Sequence, residues 1–204
     1  MRRHPAPFAL ALAITLVVLL GRGPGARNGG VGVGGRGGVA HDESLVHDDL
    51  ARYHDRVFTV VNVVDGDTAD IDAPDGRYDH TRIRLWGVDT PEVAGSPRGD
   101  MYWGAQASAY AKKTLLRQRV RIELVPDETR DKYERLLAYV YLVESGEMFN
   151  ELLLLDGHAY ADTRFKHPHR EQFAKLSADA QAAKRGLWAN VSKKQMPAWR
   201  QKRN

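Results

Sequence analysis

The sequence predicts a mostly β domain with helices, a five-stranded Greek-key barrel of OB-fold type with about three helices. Three observations point there. Five short segments between Val57 and Val143 are β-branched or alternate between apolar and polar residues, and Asp, Gly and Pro turns bound them. Helical spacing interrupts these segments once, after the third, and resumes only after the fifth. The chain has 204 residues, 43% hydrophobic and 27% charged, which suffices for a folded core and argues against a wholly disordered chain.

The elements follow in order. Val57, Val60, Val61, Val63 and Val64 read as the first strand. Asp65-Gly66-Asp67 turns the chain, and residues 68–73 return as the second. Pro74-Asp75-Gly76 is the next turn. Residues 81–86 form the third strand, with Ile83 and Leu85 on one face and Arg82, Arg84 and Trp86 on the other. Residues 104–117 are helical in composition and spacing. Residues 119–125 alternate again, with Val120, Ile122 and Leu124 inward, and residues 135–143 make the fifth strand. A short helix over 150–156 ends at Gly157. The longest helix covers 171–184, with Phe173, Leu176, Ala180, Ala183 and Leu187 as its buried stripe and Gly186 as its cap.

Outside the barrel, Arg2 and Arg3 precede an apolar run over 8–20. Thirteen helical residues reach about 20 Å, short of a hydrocarbon core of about 30 Å. Residues 1–22 therefore read as a signal peptide or a signal anchor, which places the protein in secreted or periplasmic form, or membrane-anchored with its body outside the cytoplasm. Residues 23–54 are a Gly-rich linker and a polar segment. The segment 21–38 holds ten of the nineteen glycines but lacks the Gly-Lys-Ser/Thr end of a phosphate loop. Residues 41–54 form a short helix or nothing regular. His41, His47 and His54 have no spacing that gathers them on one face. The body runs over 55–190, and 191–204 is a basic C-terminal tail.

Charge and cysteine content exclude several classes. The net charge of +4 comes from the ends: residues 1–40 carry five arginines and no acid, and residues 193–204 carry five further cations and no acid, leaving −6 in between. Any affinity of the body for nucleic acid must come from a local positive field. The absence of cysteine excludes a disulfide scaffold, a Cys-ligated metal site and a Cys nucleophile.

Two acidic loops end strands: Val64-Asp65-Gly66-Asp67-Thr68 after the first and Gly87-Val88-Asp89-Thr90-Pro91-Glu92 after the third. Such sequences are also ordinary turn formers. Carboxylates converging from separate strand ends repel unless a cation lies between them, so at least one is expected to be held above its usual pKa. An all-oxygen set without cysteine suits calcium or magnesium better than zinc. Arg84 lies in a strand five residues before Asp89, and Arg135 opens another after Asp131-Lys132-Tyr133. Arginine forks match phosphate geometry, and two of them with a cation and a spare carboxylate make a phosphoryl-transfer set.

These segments in this order resemble the staphylococcal nuclease (thermonuclease) family. The resemblance is carried by Val64-Asp65-Gly66-Asp67-Thr68, by Arg84-Leu85-Trp86-Gly87-Val88-Asp89-Thr90-Pro91-Glu92, and by Asp131-Lys132-Tyr133-Glu134-Arg135-Leu136-Leu137-Ala138-Tyr139. Phe149-Asn150-Glu151 followed by Gly157, and the Lys-Arg-Gly-Leu-Trp end of residues 180–188, extend it over about 57–190. The resemblance implies a nuclease-like OB-fold barrel. It implies a calcium-dependent phosphodiesterase that cleaves DNA and RNA to 3′-phosphate products, acts on single strands or frayed ends, and works as a monomer with no protein partner. It assigns Asp67 and Asp89 as calcium carboxylates, the Thr90 carbonyl as a further ligand, and Asp65 as an outer carboxylate. Glu92 then holds or deprotonates the attacking water. Arg84 and Arg135 bind the scissile phosphate, and Lys132 and Tyr133 bind a terminal phosphate.

Departures accompany the match. Trp86-Gly87 replaces an aliphatic pair, Glu134 and Leu136 stand where glycines are usual, and the base-stacking tyrosines have Thr163 and Phe165 as nearest counterparts. Phe165 reads either as a stacking platform or as a core aromatic. Lys112, Lys113, Arg84, Lys132 and Arg135 are expected to make a basic groove, and the tail to add non-specific grip without entering the chemistry. The competing reading is a non-catalytic single-stranded nucleic-acid binding module, which has little use for Glu92 beside a phosphate. A calcium-stabilised scaffold leaves both arginines without a role.

Overall fold

The computed structural model describes residues 43–96 and 99–202. The signal segment expected over 1–22 and the Gly-rich stretch lie outside the described residues. The chain order is α1 (Glu43–Tyr53), β1 (Arg56–Val63), β2 (Thr68–Ile71), β3 (Thr81–Leu85), β4 (Val88–Asp89), α2 (Gly104–Leu115), β5 (Arg119–Glu123), β6 (Leu136–Leu142), α3 (Phe149–Leu155), β7 (Tyr160–Ala161), α4 (Arg170–Ala182), 3-10 turns at Gly186–Ala189 and Lys193–Gln195, and α5 (Ala198–Gln201). No helix among the described residues is long and apolar enough to cross a membrane.

Five strands close a barrel in the order β1-β2-β3-β6-β5, which confirms the expected five-stranded barrel of OB type. β3 and β6 run parallel, with Arg84 opposite Leu137, and the other neighbours are antiparallel. β1 serves two partners. Residues 56–59 pair with β5, then a register shift between Val60 and Asn62 bends the strand so that Val60, Asn62 and Val63 pair with β2. One irregular residue is the standard way to turn a strand around a barrel corner.

Alternation fills the interior. Val60, Val63, Ala69, Ile71, Ile83, Leu85, Val120, Ile122, Leu136, Ala138 and Val140 are buried, while Arg82 and Arg84 take the other face of β3 as expected. The helices cover the open ends. The fully buried Asn150 at the start of α3 accepts from the Val140 N–H at 3.0 Å and donates to the Trp86 carbonyl at 2.9 Å. It thereby fixes the chain where it leaves β3 toward β4. In α4 the buried residues are Phe173, Ser177 and Ala180. Ala183, expected in the stripe, is exposed because the helix stops at Ala182 and Lys184 turns the chain with φ +52°.

Both ends of the described chain are built in. α1 docks through buried Asp49, which takes Arg130 Nε at 2.8 Å and Nη2 at 2.7 Å and the Thr129 hydroxyl at 2.9 Å. Arg130 Nη1 also reaches Asp75 at 2.7 Å, so one guanidinium ties α1 to two barrel loops. Residues 193–202, expected as a tail, carry a 3-10 turn and α5. Val191, Met196 and Trp199 pack on the cluster of Tyr160, Ala180, Leu187 and Trp188.

Candidate active site

The site is built where three strand ends meet. Between β1 and β2 the turn is closed by the Val64 and Asp65 N–H groups on the Thr68 carbonyl, at 2.9 and 3.3 Å. Asp65 Oδ1 accepts the Asp67 N–H at 3.0 Å, a side-chain-closed turn that leaves the Asp67 carboxylate facing Thr90 and Arg84. Gly66 lies against Thr90, where a Cβ would meet the Thr90 side chain at 2.7 Å. Glycine here lets the two acidic loops touch.

Arg84, on the outer face of β3, joins the carboxylates of those loops. Its Nη1 lies 2.9 Å from Asp67 Oδ2 and its Nη2 lies 3.1 Å from Asp89 Oδ1. Asp67 Oδ2 also accepts the Thr90 N–H at 2.7 Å and the Thr90 hydroxyl at 3.0 Å. Asp89 sits on β4, whose ladder to β7 pairs it with Tyr160. Its Oδ2 accepts the Trp199 indole N–H at 2.7 Å, and Arg164 Nη2 stands 3.7 Å from its Oδ1. Arg164 is itself held by Asp162, through Nε at 2.8 Å and Nη2 at 2.6 Å.

Electrostatically the site lacks positive charge. Burial pushes the Asp67 carboxyl up to about 6, with Arg84 opposing and Asp65 adding to the rise. Burial likewise raises Asp89, opposed by Arg84 and reinforced by Asp67. The expected upward shift is therefore present, but loss of water outranks like-charge repulsion as its cause. The carboxylates of Asp65, Asp67, Asp89 and Asp162 are set against the guanidiniums of Arg84 and Arg164, a formal excess of two negative charges. A divalent cation would balance it. Among the described residues no three His, Cys, Asp or Glu side chains form a metal-holding group. The donors at hand are the two carboxylates and the neighbouring Thr90 carbonyl, all hard oxygens, so water would complete the shell of a hard cation.

The remaining candidates divide. Glu92 lies half-buried two residues beyond Thr90, and its Oε2 accepts the Ser96 hydroxyl at 2.6 Å. Arg135 is two residues before Leu137, the ladder partner of Arg84, which puts it on the same side of the pleat. Its guanidinium is paired with Asp131, Nη2 to Oδ2 at 2.6 Å, and is not bonded to Asp67 or Asp89. Tyr133 is 63% exposed, with Lys132 Nζ 4.9 Å and Arg135 Cζ 5.5 Å from its ring centre, so that loop presents an aromatic face under two cations. Lys112 and Lys113 are exposed in the last turn of α2 and are not among the groups that meet at Arg84. Phe165 is 51% exposed beneath Arg164, which rules out the core reading.

The departures have structural reasons. Trp86 is buried rather than presented with the arginines, stacked on Tyr139 with ring centres 6.1 Å apart. Gly87 takes φ +78°, and a Cβ there would lie 2.5 Å from the His167 ring. Tryptophan, glycine and His167 thus form one packed unit behind β4. Glu134 keeps the left-handed backbone, φ +62°, that a glycine adopts freely. Sequence reasoning missed Arg164, Asp162 and Trp199. β7, which carries the chain to the first two, is only two residues long, and Trp199 stands 110 residues from its partner.

Comparison with known proteins agrees with this geometry. The family described as "Staphylococcal nuclease homologue" matches residues 82–190. A thermonuclease of Staphylococcus hyicus is 36% identical over 142 residues, covering 69% of this chain and 80% of the relative. A thermonuclease of Staphylococcus intermedius is 40% identical over 142 residues, covering 70% and 75%. The SPbeta prophage-derived endonuclease YokF of Bacillus subtilis is 32% identical over 133 residues, covering 64% of this chain and 43% of the relative. On the family match, the two thermonucleases and the closed barrel together, the chain belongs to the staphylococcal nuclease family.

Proposed function

We propose that this protein is a calcium-dependent nuclease that hydrolyses phosphodiester bonds of DNA and RNA and leaves 3′-phosphate ends. The observation that carries the reading is the half-buried Arg84 bridging Asp67 and Asp89 at 2.9 and 3.1 Å in a cluster with excess negative charge. Family membership supplies the hydrolytic class, and the site supplies the chemistry for it. Asp67, Asp89 and the Thr90 carbonyl would hold the cation, with Asp65 steadying Asp67 through its backbone N–H. Calcium there would neutralise the phosphate and polarise its oxygens.

The chain's own residues do the rest. Arg84 spans two carboxylates, Nη1 on Asp67 and Nη2 on Asp89, and Arg135 sets Nε and Nη2 on Asp131 Oδ2, so both guanidiniums already hold anionic oxygens of the kind a phosphodiester offers. They bind the scissile group and the charge that develops on it. Glu92 orients or deprotonates the water that attacks phosphorus in line, and the 5′-oxygen departs. Lys132 and Tyr133 offer a cation and an exposed ring to a terminal phosphate and its base. The reading extends to single strands and frayed ends as substrate and to a protein that acts as a monomer. The apolar run over 8–20 behind Arg2 and Arg3 supports action outside the cytoplasm, secreted or anchored.

The test is end-group analysis of labelled single-stranded and duplex DNA after incubation in calcium or in excess chelator. Cleavage to 3′-phosphate ends in calcium alone is expected. Retention of DNA without cleavage in calcium would favour the binding-module reading.

A further inference from the structure

Trp199 makes a contact that nothing in the proposed chemistry uses. It lies in α5, 110 residues from Asp89, yet its indole N–H donates to Asp89 Oδ2 at 2.7 Å. The other oxygen, Oδ1, faces Arg84 Nη2 at 3.1 Å and Arg164 Nη2 at 3.7 Å. Both oxygens of this carboxylate are therefore addressed from opposite sides, and its plane is fixed. The segment that carries the indole is anchored independently. The Arg200 guanidinium lies 5.0 Å from the Trp188 ring and 5.5 Å from the Tyr160 ring, and Tyr160 is the ladder partner of Asp89. Gln201 Nε2 donates to the Met196 carbonyl at 2.7 Å and closes the turn around Pro197. The face of the Trp199 ring carries Arg164, whose Cζ is 4.7 Å from the ring centre.

We propose that Trp199 is a positioning residue of the active site, its indole N–H orienting Asp89 for the cation and its ring supporting Arg164, so that residues 193–202 complete the site. This rests on the calcium-nuclease reading. The chemistry of the donor favours it. An indole offers one N–H, accepts nothing and carries no charge, so it orients a carboxylate without repelling a cation. A lysine or a third arginine in its place would compete with the ion. Hydrogen bonds that orient ligating carboxylates typically govern metal affinity by about 10–100-fold.

The experiment uses the full chain and calcium alone, without nucleic acid. Calorimetric titration compares the parent with Trp199→Phe, which keeps an aromatic face but removes the N–H, and with Arg200→Ala, which keeps the indole but removes its anchor. Melting in chelator is recorded for all three. We expect calcium to bind Trp199→Phe about 10–100-fold more weakly, and Arg200→Ala to fall between it and the parent, with cooperative melting retained in chelator. Calcium affinity equal to the parent's in both variants, or tighter in either, overturns the assignment. It would mean that the segment merely covers the site or blocks it. A parent that binds no calcium overturns the calcium reading itself, and this proposal with it.

Discussion

Asp67→Asn should stabilise the metal-free protein above pH 6 while it removes the site. Asp67 is buried and its carboxyl is raised from 3.8 to about 6. That rise is about two pH units, or about 3 kcal/mol against the ionised form. The sign runs against the usual carboxylate. Below pH 3.8 the side chain is protonated in both states and nothing is lost. Between 3.8 and about 6 the unfolded chain releases its proton while the folded chain keeps it, so stability declines as pH rises. Above about 6 the cost is complete. Asparagine cannot ionise, and its carbonyl oxygen still accepts the Thr90 N–H that Asp67 holds at 2.7 Å. At about 2–4 °C per kcal/mol for a domain of this size, the variant should melt up to about 6–12 °C higher in chelator above pH 6.5. The assay is thermal melting of both proteins in chelator from pH 3.5 to 8, reading the gap between them. The gap should vanish at the acid end and open through pH 4–6. Calcium should then raise the melting point of the parent and leave the variant unmoved, by mass action. A gap that does not change with pH, or a variant less stable than the parent at pH 8, would mean that the buried Asp67 charge does not destabilise the metal-free fold.

Three more outcomes follow from the geometry. Arg130→Ala strands the buried Asp49 carboxylate without its two Arg130 bonds and should cost about 3–5 kcal/mol in urea unfolding, most of it recovered when Asp49 is also made apolar. Gly87→Ala forces a side chain into φ +78° and against His167 at 2.5 Å, and should cost about 2 kcal/mol or more. Adding His167→Ala should relieve the clash with the imidazole and leave the Phe173 contact at 2.9 Å and the left-handed backbone strain, read as the interaction energy of a double-mutant cycle that includes His167→Ala alone. Glu92→Ala should lower turnover at saturating substrate while oligonucleotide affinity holds, because Glu92 is assigned to the water and not to the phosphate; an unchanged turnover number removes that role.

The barrel was legible because its signals are local. Ile83 and Leu85 alternate with Arg82 and Arg84, and that alternation alone assigns which face of β3 is core and which is free for chemistry. Arg84 and Asp89 are five residues apart on one strand and its extension, so their meeting could be anticipated. Asp67 joined them because its turn ends the neighbouring strand. What stayed hidden depends on pairs far apart in the chain. Asp49 and Arg130 are separated by 81 residues, and their bond converts a polar stretch into the docked helix α1. Trp199 lies in a run of cations that reads as a solvated tail, and only the aromatic cluster of Tyr160 and Trp188 gives Arg200 and the indole a surface to rest on. Periodicity also overran the end of α4, because spacing continues through Ala183 while the backbone turns at Lys184.

Asp67, Arg84 and Asp89 are proposed as a calcium-dependent centre for phosphodiester hydrolysis. The most direct measurement is the initial rate of cleavage of a short single-stranded oligonucleotide as calcium is titrated, for the parent and for Asp89→Asn. The parent's rate should rise to saturation with calcium and be abolished by excess chelator, and the variant's rate should stay near background at every calcium concentration. Cleavage at the parent's rate in Asp89→Asn, or in excess chelator, would contradict that proposal.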